Sequence, residues 1–238
     1  MAEARPGEAG FADVNGARLY YEVAGEGHPL VLLHGGLVDR RMWDGQFGVF
    51  AEGFRVIRYD ARGYGNSETG IGTYSNHEDL HGLLRFLDIP EAYLLGLSGG
   101  GLLAIDFTLA YPEMVDALIP VAPGLSGYTW SDAMQQYGSE MGSAFERGDL
   151  SHALELWLRT WTDGPTRTPD EVDPAVRERV REMTAHAFGR FSEQATLEPL
   201  EPPAISRLAE IHVPTLILPV EKPLAERSWR HHHEGNLA

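Results

Sequence analysis

Apolar and polar positions change period along this chain, and each change marks an element. Arg18-Leu19-Tyr20-Tyr21-Glu22-Val23 follows a turn at Asn15-Gly16 and predicts a strand. Pro29-Leu30-Val31-Leu32-Leu33 is a continuous apolar run that stops at His34-Gly35-Gly36. Such a run fits a parallel strand buried on both faces. From Asp39 to Phe50 the spacing turns helical, with Met42, Trp43, Phe47 and Phe50 on one face. Phe54 to Tyr59 predicts the next strand, ending at Asp60. Ser75 is the expected N-cap of a helix through Leu87, with Leu80, Leu83, Leu84 and Leu87 turned inward. Apolar runs at Tyr93-Leu94-Leu95, Ala117 to Ala122 and Val213 to Leu218 continue the series. The alternation predicts an α/β fold: a mostly parallel sheet with helices on both faces.

From about residue 125 to 204 the rhythm stops. This stretch is helix-rich and carries Tyr128, Trp130, Tyr137, Phe145, Trp157, Trp161, Phe188 and Phe191. Asp163-Gly164-Pro165-Thr166 and the segment from Glu198-Pro199 to Pro202-Pro203 are natural breaks. The expected organisation is a sheet core over 1–124 and an inserted helical cap over 125–204. Residues 205–238 return to the core and run into an irregular tail. Aromatic residues at helical spacing serve packing more often than ligand contact. Tyr128, Trp130, Trp157 and Trp161 are the four expected to line a substrate pocket.

Composition narrows the chemistry. The 238 residues suffice for one sizeable buried core. A formal net charge of −16 argues against nucleic acid, which needs a basic surface, and repels acidic substrates. With no cysteine there is no disulfide, thiolate nucleophile or Cys-bound metal. Met1 to Gly10 lacks the apolar core of a secretory signal, and no apolar run approaches the roughly 20 residues that span a bilayer. The expectation is a cytoplasmic protein without a membrane partner.

The chemistry concentrates at Gly96-Leu97-Ser98-Gly99-Gly100, a G-x-S-x-G sequence between an apolar run and a helical pattern. On a sharp strand-to-helix turn such a serine is exposed, and the following helix aims free N–H groups at it. Two more motifs end earlier strands: Leu33-His34-Gly35-Gly36, and Asp60-Ala61-Arg62-Gly63-Tyr64-Gly65-Asn66-Ser67. Together the three resemble the α/β-hydrolase superfamily, over about residues 15–220, with Val213-Pro214-Thr215-Leu216-Ile217 similar to a late strand of that fold. The resemblance implies Ser98 as nucleophile and the Gly36 and Gly99 amides as the oxyanion hole. It implies a structural His34, with Asp60 and Arg62 bracing loops, and neither cofactor nor metal. His77 and His81, one helical turn apart, read as a solvated face. The implied reaction is hydrolysis of an ester-like or related carbonyl bond in a small, uncharged, apolar substrate. Serine at the elbow argues against dehalogenase or epoxide hydrolase chemistry. Esterase, lactonase, C–C hydrolase and perhydrolase stay open.

The pattern then breaks. Where the superfamily has a G-x-x-D turn this chain reads Pro219-Val220-Glu221-Lys222-Pro223, and no G-H motif follows. One reading is an altered or truncated end, left by a frameshift or by deliberate design of the chain, lacking the last strand and helix. That reading predicts impaired activity and self-association through an uncovered sheet edge. A second completes the triad with Glu221 and one of His231, His232 or His233. A third is a non-catalytic small-molecule-binding protein. The histidine run also reads as a tag remnant or a solvated tail.

Overall fold

The computed structural model describes residues 7–190 and 195–219. Glu221, His231, His232 and His233 lie outside the described residues, as does any strand or helix after Pro219. By compactness the chain divides into a sheet unit, through Tyr128 and again over Gly189–Pro219, and a helical unit spanning Thr129–Phe188.

In the sheet unit, β1 (Glu8–Val14) and β2 (Ala17–Ala24) form an antiparallel hairpin. Its turn places Asn15 and Gly16 at φ of 46° and 79°, the left-handed pair such two-residue turns require. The parallel strands are β3 (Pro29–Leu33), β4 (Arg55–Tyr59), β6 (Ala92–Leu97) and β7 (Val115–Val121), in the order β1-β2-β4-β3-β6-β7. Helices α1 (Asp44–Phe50), α2 (Asn76–Phe86) and α3 (Gly99–Ala110) flank the sheet. β3 is buried on both faces, as its unbroken apolar run predicts. Val31 and Leu33 join Ile57, Leu80, Leu83, Leu84 and Phe107 on one side, whereas Leu30 and Leu32 meet Trp43 and Val56 on the other. α3 is apolar almost all round and accordingly central, with Leu103 to Leu109 all buried. Ser75 is the N-cap of α2 by position, but its side chain makes no capping hydrogen bond.

The predicted late strand is reduced to two isolated parallel bridges to β7, Thr215 opposite Leu118 and Leu218 opposite Val121, within an extended segment. Leu118 N donates to Pro214 O (2.9 Å), Leu216 N to Leu118 O (2.9 Å) and Leu218 N to Pro120 O (3.1 Å). Leu216, Ile217 and Leu218 remain 58%, 60% and 44% exposed, so this margin is both apolar and open.

Two short strands escape sequence reading. β5 (Gly72–Tyr74) and β8 (Ala195–Leu197) pair in parallel with each other, away from the main sheet. β8 belongs to the stretch expected in the cap, yet it lies in the sheet unit. Residues 199–204 join that unit for a physical reason. Leu200 and Ala204 are buried in the main core, and Ser126 Oγ accepts from Ala204 N (2.8 Å) while donating to Asp106 (2.9 Å).

The helical unit contains α4 (Asp132–Glu146), α5 (Leu150–Trp157), a π-helical turn at Leu158–Asp163, and α6 (Pro174–Phe188). Buried Asp163 ties the turn to α6 through Arg177 (2.9 Å). Phe145 and Phe188 meet edge-on at 4.7 Å. Among the described residues no helix is long and apolar enough to cross a membrane.

Candidate active site

The site begins with a backbone conformation that residues other than glycine rarely adopt. β6 ends at Leu97 and α3 starts at Gly99, leaving Ser98 between them at φ 54° and ψ −110°. A non-glycine residue rarely holds such a conformation unless its surroundings enforce it. Here they do. Ser98 N donates to Val121 O (2.9 Å), and Ser98 O accepts from both Leu102 N (2.9 Å) and Gly124 N (3.0 Å). The turn is tight enough that a side chain on Gly96 would collide with the Gly100 carbonyl, and one on Gly100 with the carbonyls of Leu33 and His34. The G-x-S-x-G spacing therefore reflects close packing of β6, α3 and β3.

The loop after β3 comes to the same place. A methyl group on Gly99 would lie 3.1 Å from Gly36 N, and one on Gly35 3.9 Å from Ser98 Cβ. Gly35, Gly36, Ser98 and Gly99 are thus brought together from positions more than sixty apart in sequence. The N-terminus of α3 points its unpaired amides and positive dipole end at this spot, an arrangement that favours developing negative charge. No side-chain hydrogen bond caps the helix at Ser98, and none to its Oγ is found among the described residues.

Around this centre lies a shell of buried charge. His34 is buried, and its Nε2 accepts from Ala61 N (3.0 Å), which leaves Nδ1–H to donate to Gly35 O (2.8 Å). Both ring nitrogens are thereby used in joining two loops, as the structural reading of His34 expects. Asp60 is fully buried and accepts from Arg40 N (2.9 Å), Arg40 Nη1 (2.7 Å) and Asn66 N (2.8 Å). Burial pushes its carboxyl up, against the pull of those donors. Arg62 makes a paired contact with Asp79 (2.7 and 2.8 Å). Both brace loops, by ion pairs to partners the motif alone does not reveal.

Glu22 bridges Arg40 (2.7 Å) and Arg58 (2.6 Å). Burial raises the Glu22 carboxyl, but the two guanidinium groups outweigh it and hold it below the usual range. Asp39 caps the 3-10 turn Arg40–Trp43 by accepting from Arg41 N (3.0 Å) and pairs with the Arg41 guanidinium (2.7 Å). Burial works against it too, yet Arg41 and the cap hold its carboxyl low. Sequence reading missed Glu22, Arg40 and Arg58. The only trace of Glu22 and Arg58 was charge inside otherwise apolar strands, and Arg40 left none.

The remaining expected residues fall elsewhere. Tyr128 ends the first segment of the sheet unit, 53% exposed. Trp130, Trp157 and Trp161 belong to the helical unit. Trp157 and Trp161 lie together at 5.6 Å, and Trp161 Nε1 donates to the Tyr137 hydroxyl (3.1 Å). His77 and His81 are not a solvated face. The His77 side chain is 12% exposed, and His81 stacks on Tyr111 at 4.2 Å. Among the described residues no group of three His, Asp or Glu side chains could hold a metal ion.

These features define a class. A family model described as the alpha/beta hydrolase family matches residues 30–236, and the chain belongs to that family. Within it, the chain is 27% identical over 214 residues to 2-hydroxy-6-oxo-6-phenylhexa-2,4-dienoate hydrolase of Comamonas testosteroni, covering 86% of this chain and 74% of that one. It is 28% identical over 159 residues to the uncharacterized hydrolase YraK of Bacillus subtilis, and that match spans 65% of this chain but only 58% of the relative. Among solved structures, the enol-lactonase of Burkholderia xenovorans LB400 superposes with a TM-score of 0.69 at 25% identity, over 88% of this chain and 80% of that one.

Proposed function

We propose that this chain carries a serine-hydrolase site for ester-like bonds, with Ser98 as nucleophile and the Gly36 and Gly99 amides as oxyanion donors. The observation that carries the reading is the forced positive φ of Ser98 beside Gly36, at the head of α3. Attack by Ser98 Oγ on a substrate carbonyl gives an acyl-enzyme, and the two amides stabilise the oxyanion on the way. The net charge of −16 favours an uncharged substrate. The relatives act, by their names, on dienoates and an enol-lactone, so lactone and C–C substrates stand beside esters.

The same reading makes the chain an impaired catalyst. Val220 and Pro223 stand at the sequence positions where the family's G-x-x-D glycine and aspartate are expected, and no G-H motif is read in the residues that follow. Without a base the Ser98 hydroxyl stays protonated and attacks weakly. Serine proteases stripped of triad members retain roughly 10³–10⁴-fold over water, and faint turnover of this size is the expectation here. The test is hydrolysis of p-nitrophenyl acetate by the intact chain, by Ser98→Ala, and by a triple replacement of His231, His232 and His233 with alanine. Faint release lost only in Ser98→Ala is the expected result. Robust release lost in both variants would mean that the tail supplies the base. No difference between the wild type and Ser98→Ala would leave a non-catalytic binding protein as the better reading.

We also propose that the open margin at 214–218 meets a second copy of the chain. Its exposed Leu216, Ile217 and Leu218 support this.

A further inference from the structure

Met42 was expected only as a core residue, yet its sulfur makes a polar contact with the loop that carries Gly36. Gly35 N donates to Met42 Sδ at 3.2 Å. Gly35 is buried, so this amide has no water to turn to, and an orphaned buried N–H is costly. The next amide in the chain is that of Gly36. The far side of the contact is firmly held. Met42 N donates to Asp39 O (3.0 Å), and neighbouring Arg40 is locked on Asp60 and Glu22. The thioether is thus a flexible arm on a rigid base, reaching back to the backbone beside Ser98.

Met42 also differs from the other described methionines in exposure. Met114, Met134, Met141 and Met183 are 6%, 8%, 8% and 2% exposed, whereas Met42 is half-buried. Oxidation falls first on the accessible sulfur.

We propose that Met42 is a positioning residue for the Gly35–Gly36 loop, and that sulfoxide formation on it releases the loop and slows chemistry at Ser98. The second half rests on the reading of Ser98 as nucleophile. Hydrogen peroxide oxidises the thioether by two electrons. A sulfur lone pair forms the S–O bond, the peroxide O–O bond breaks, and the second oxygen leaves as water. Oxygen added on the lone pair facing Gly35 finds no room in a 3.2 Å contact. Added on the other, it draws electron density from the pair that accepts. Either way the present contact between Gly35 N and Met42 Sδ cannot persist as it stands.

The experiment uses the 15N-labelled full chain and Met42→Leu, which keeps the volume and removes the acceptor. Two quantities are read: hydrogen exchange at the Gly35 amide, and the rate at which paraoxon phosphorylates Ser98. In Met42→Leu, exchange rises and phosphorylation slows, each by about tenfold, as fits the loss of one hydrogen bond. Exchange at the core amide of Leu94 stays unchanged, which separates local release from global loosening. Peroxide reproduces both changes in the wild type and adds nothing in Met42→Leu. Unchanged Gly35 exchange in Met42→Leu overturns the positioning role, and equal peroxide sensitivity of both chains overturns the sulfoxide role. If paraoxon modifies Ser98→Ala as readily as wild type, the nucleophile reading fails instead, and Gly35 exchange still decides the hydrogen bond.

Discussion

Ser98 and Ala122 both hold positive φ, at 54° and 43°, at the C-terminal ends of neighbouring strands. Each is pinned by backbone bonds: Ser98 through Val121 and Gly124, and Ala122 through Leu218 O at 2.7 Å. Only at Ser98 does the strained position carry a hydroxyl. At Ala122 the methyl group brings a cost of about 1–2 kcal/mol for the left-handed backbone. Glycine there would remove it while returning about 0.5–1 kcal/mol of chain entropy to the unfolded state. Ala122→Gly is therefore expected to stabilise the protein by about 0.5–1 kcal/mol, read as a higher melting temperature. An unchanged or lower value would show that the strain is not there. The serine itself was legible from the pentapeptide. Ala122 was not, because nothing in Pro120-Val121-Ala122-Pro123 marks a left-handed residue.

At the scale of elements, the contact between α3 and β3 decides whether the site can form. A side chain on Gly100 would meet the backbone carbonyls of Leu33 and His34, which cannot yield as a side chain can. Gly100→Ala is expected to cost about 3 kcal/mol or more, seen as a lowered urea midpoint. A second prediction concerns the 3-10 turn that Asp39 caps. Its carboxyl is held below its ordinary value of 3.8, so its stabilising share is present above that pH and fades as pH falls through the lower folded value. Asp39→Asn should cost about 1.5–3 kcal/mol near neutral pH, the worth of hydrogen bonds to a charged group. The gap between the two proteins should then narrow steadily below about pH 4. A gap independent of pH would assign the effect to packing. The turn itself was legible as part of a helical pattern. Its cap was not, because the pairing of Asp39 with Arg41 depends on how the loop folds back.

For the whole molecule, an apolar margin and a large negative charge act against each other. Leu216, Ile217 and Leu218 favour association, while a net charge of −16 opposes it. Charge repulsion is screened within about 10 Å at 0.1 M salt and dispersion and hydrophobic contact are not. The apparent mass from light scattering should therefore rise with salt and with protein concentration. Ile217→Lys should hold it near the monomer value. A monomer under all these conditions would remove the proposed contact between copies.

The chain alone determined most of its elements and the sharp turn that carries Ser98, because hydrophobic period, glycine spacing and strand-end motifs are local signals. Val31 to Leu33, Leu80 to Leu87 and Gly96 to Gly100 could be read with no knowledge of their neighbours. Tertiary structure decided everything that depends on distant chains meeting. Glu22 becomes a bridge only when β2 lies beside β4, and β8 exists only because β5 is there to pair with it. Met42 acquires a role beyond packing only when its sulfur reaches Gly35 across the folded loop. Hydrogen bonds and ion pairs act over a few ångströms in space, and sequence order does not encode which groups will come that close.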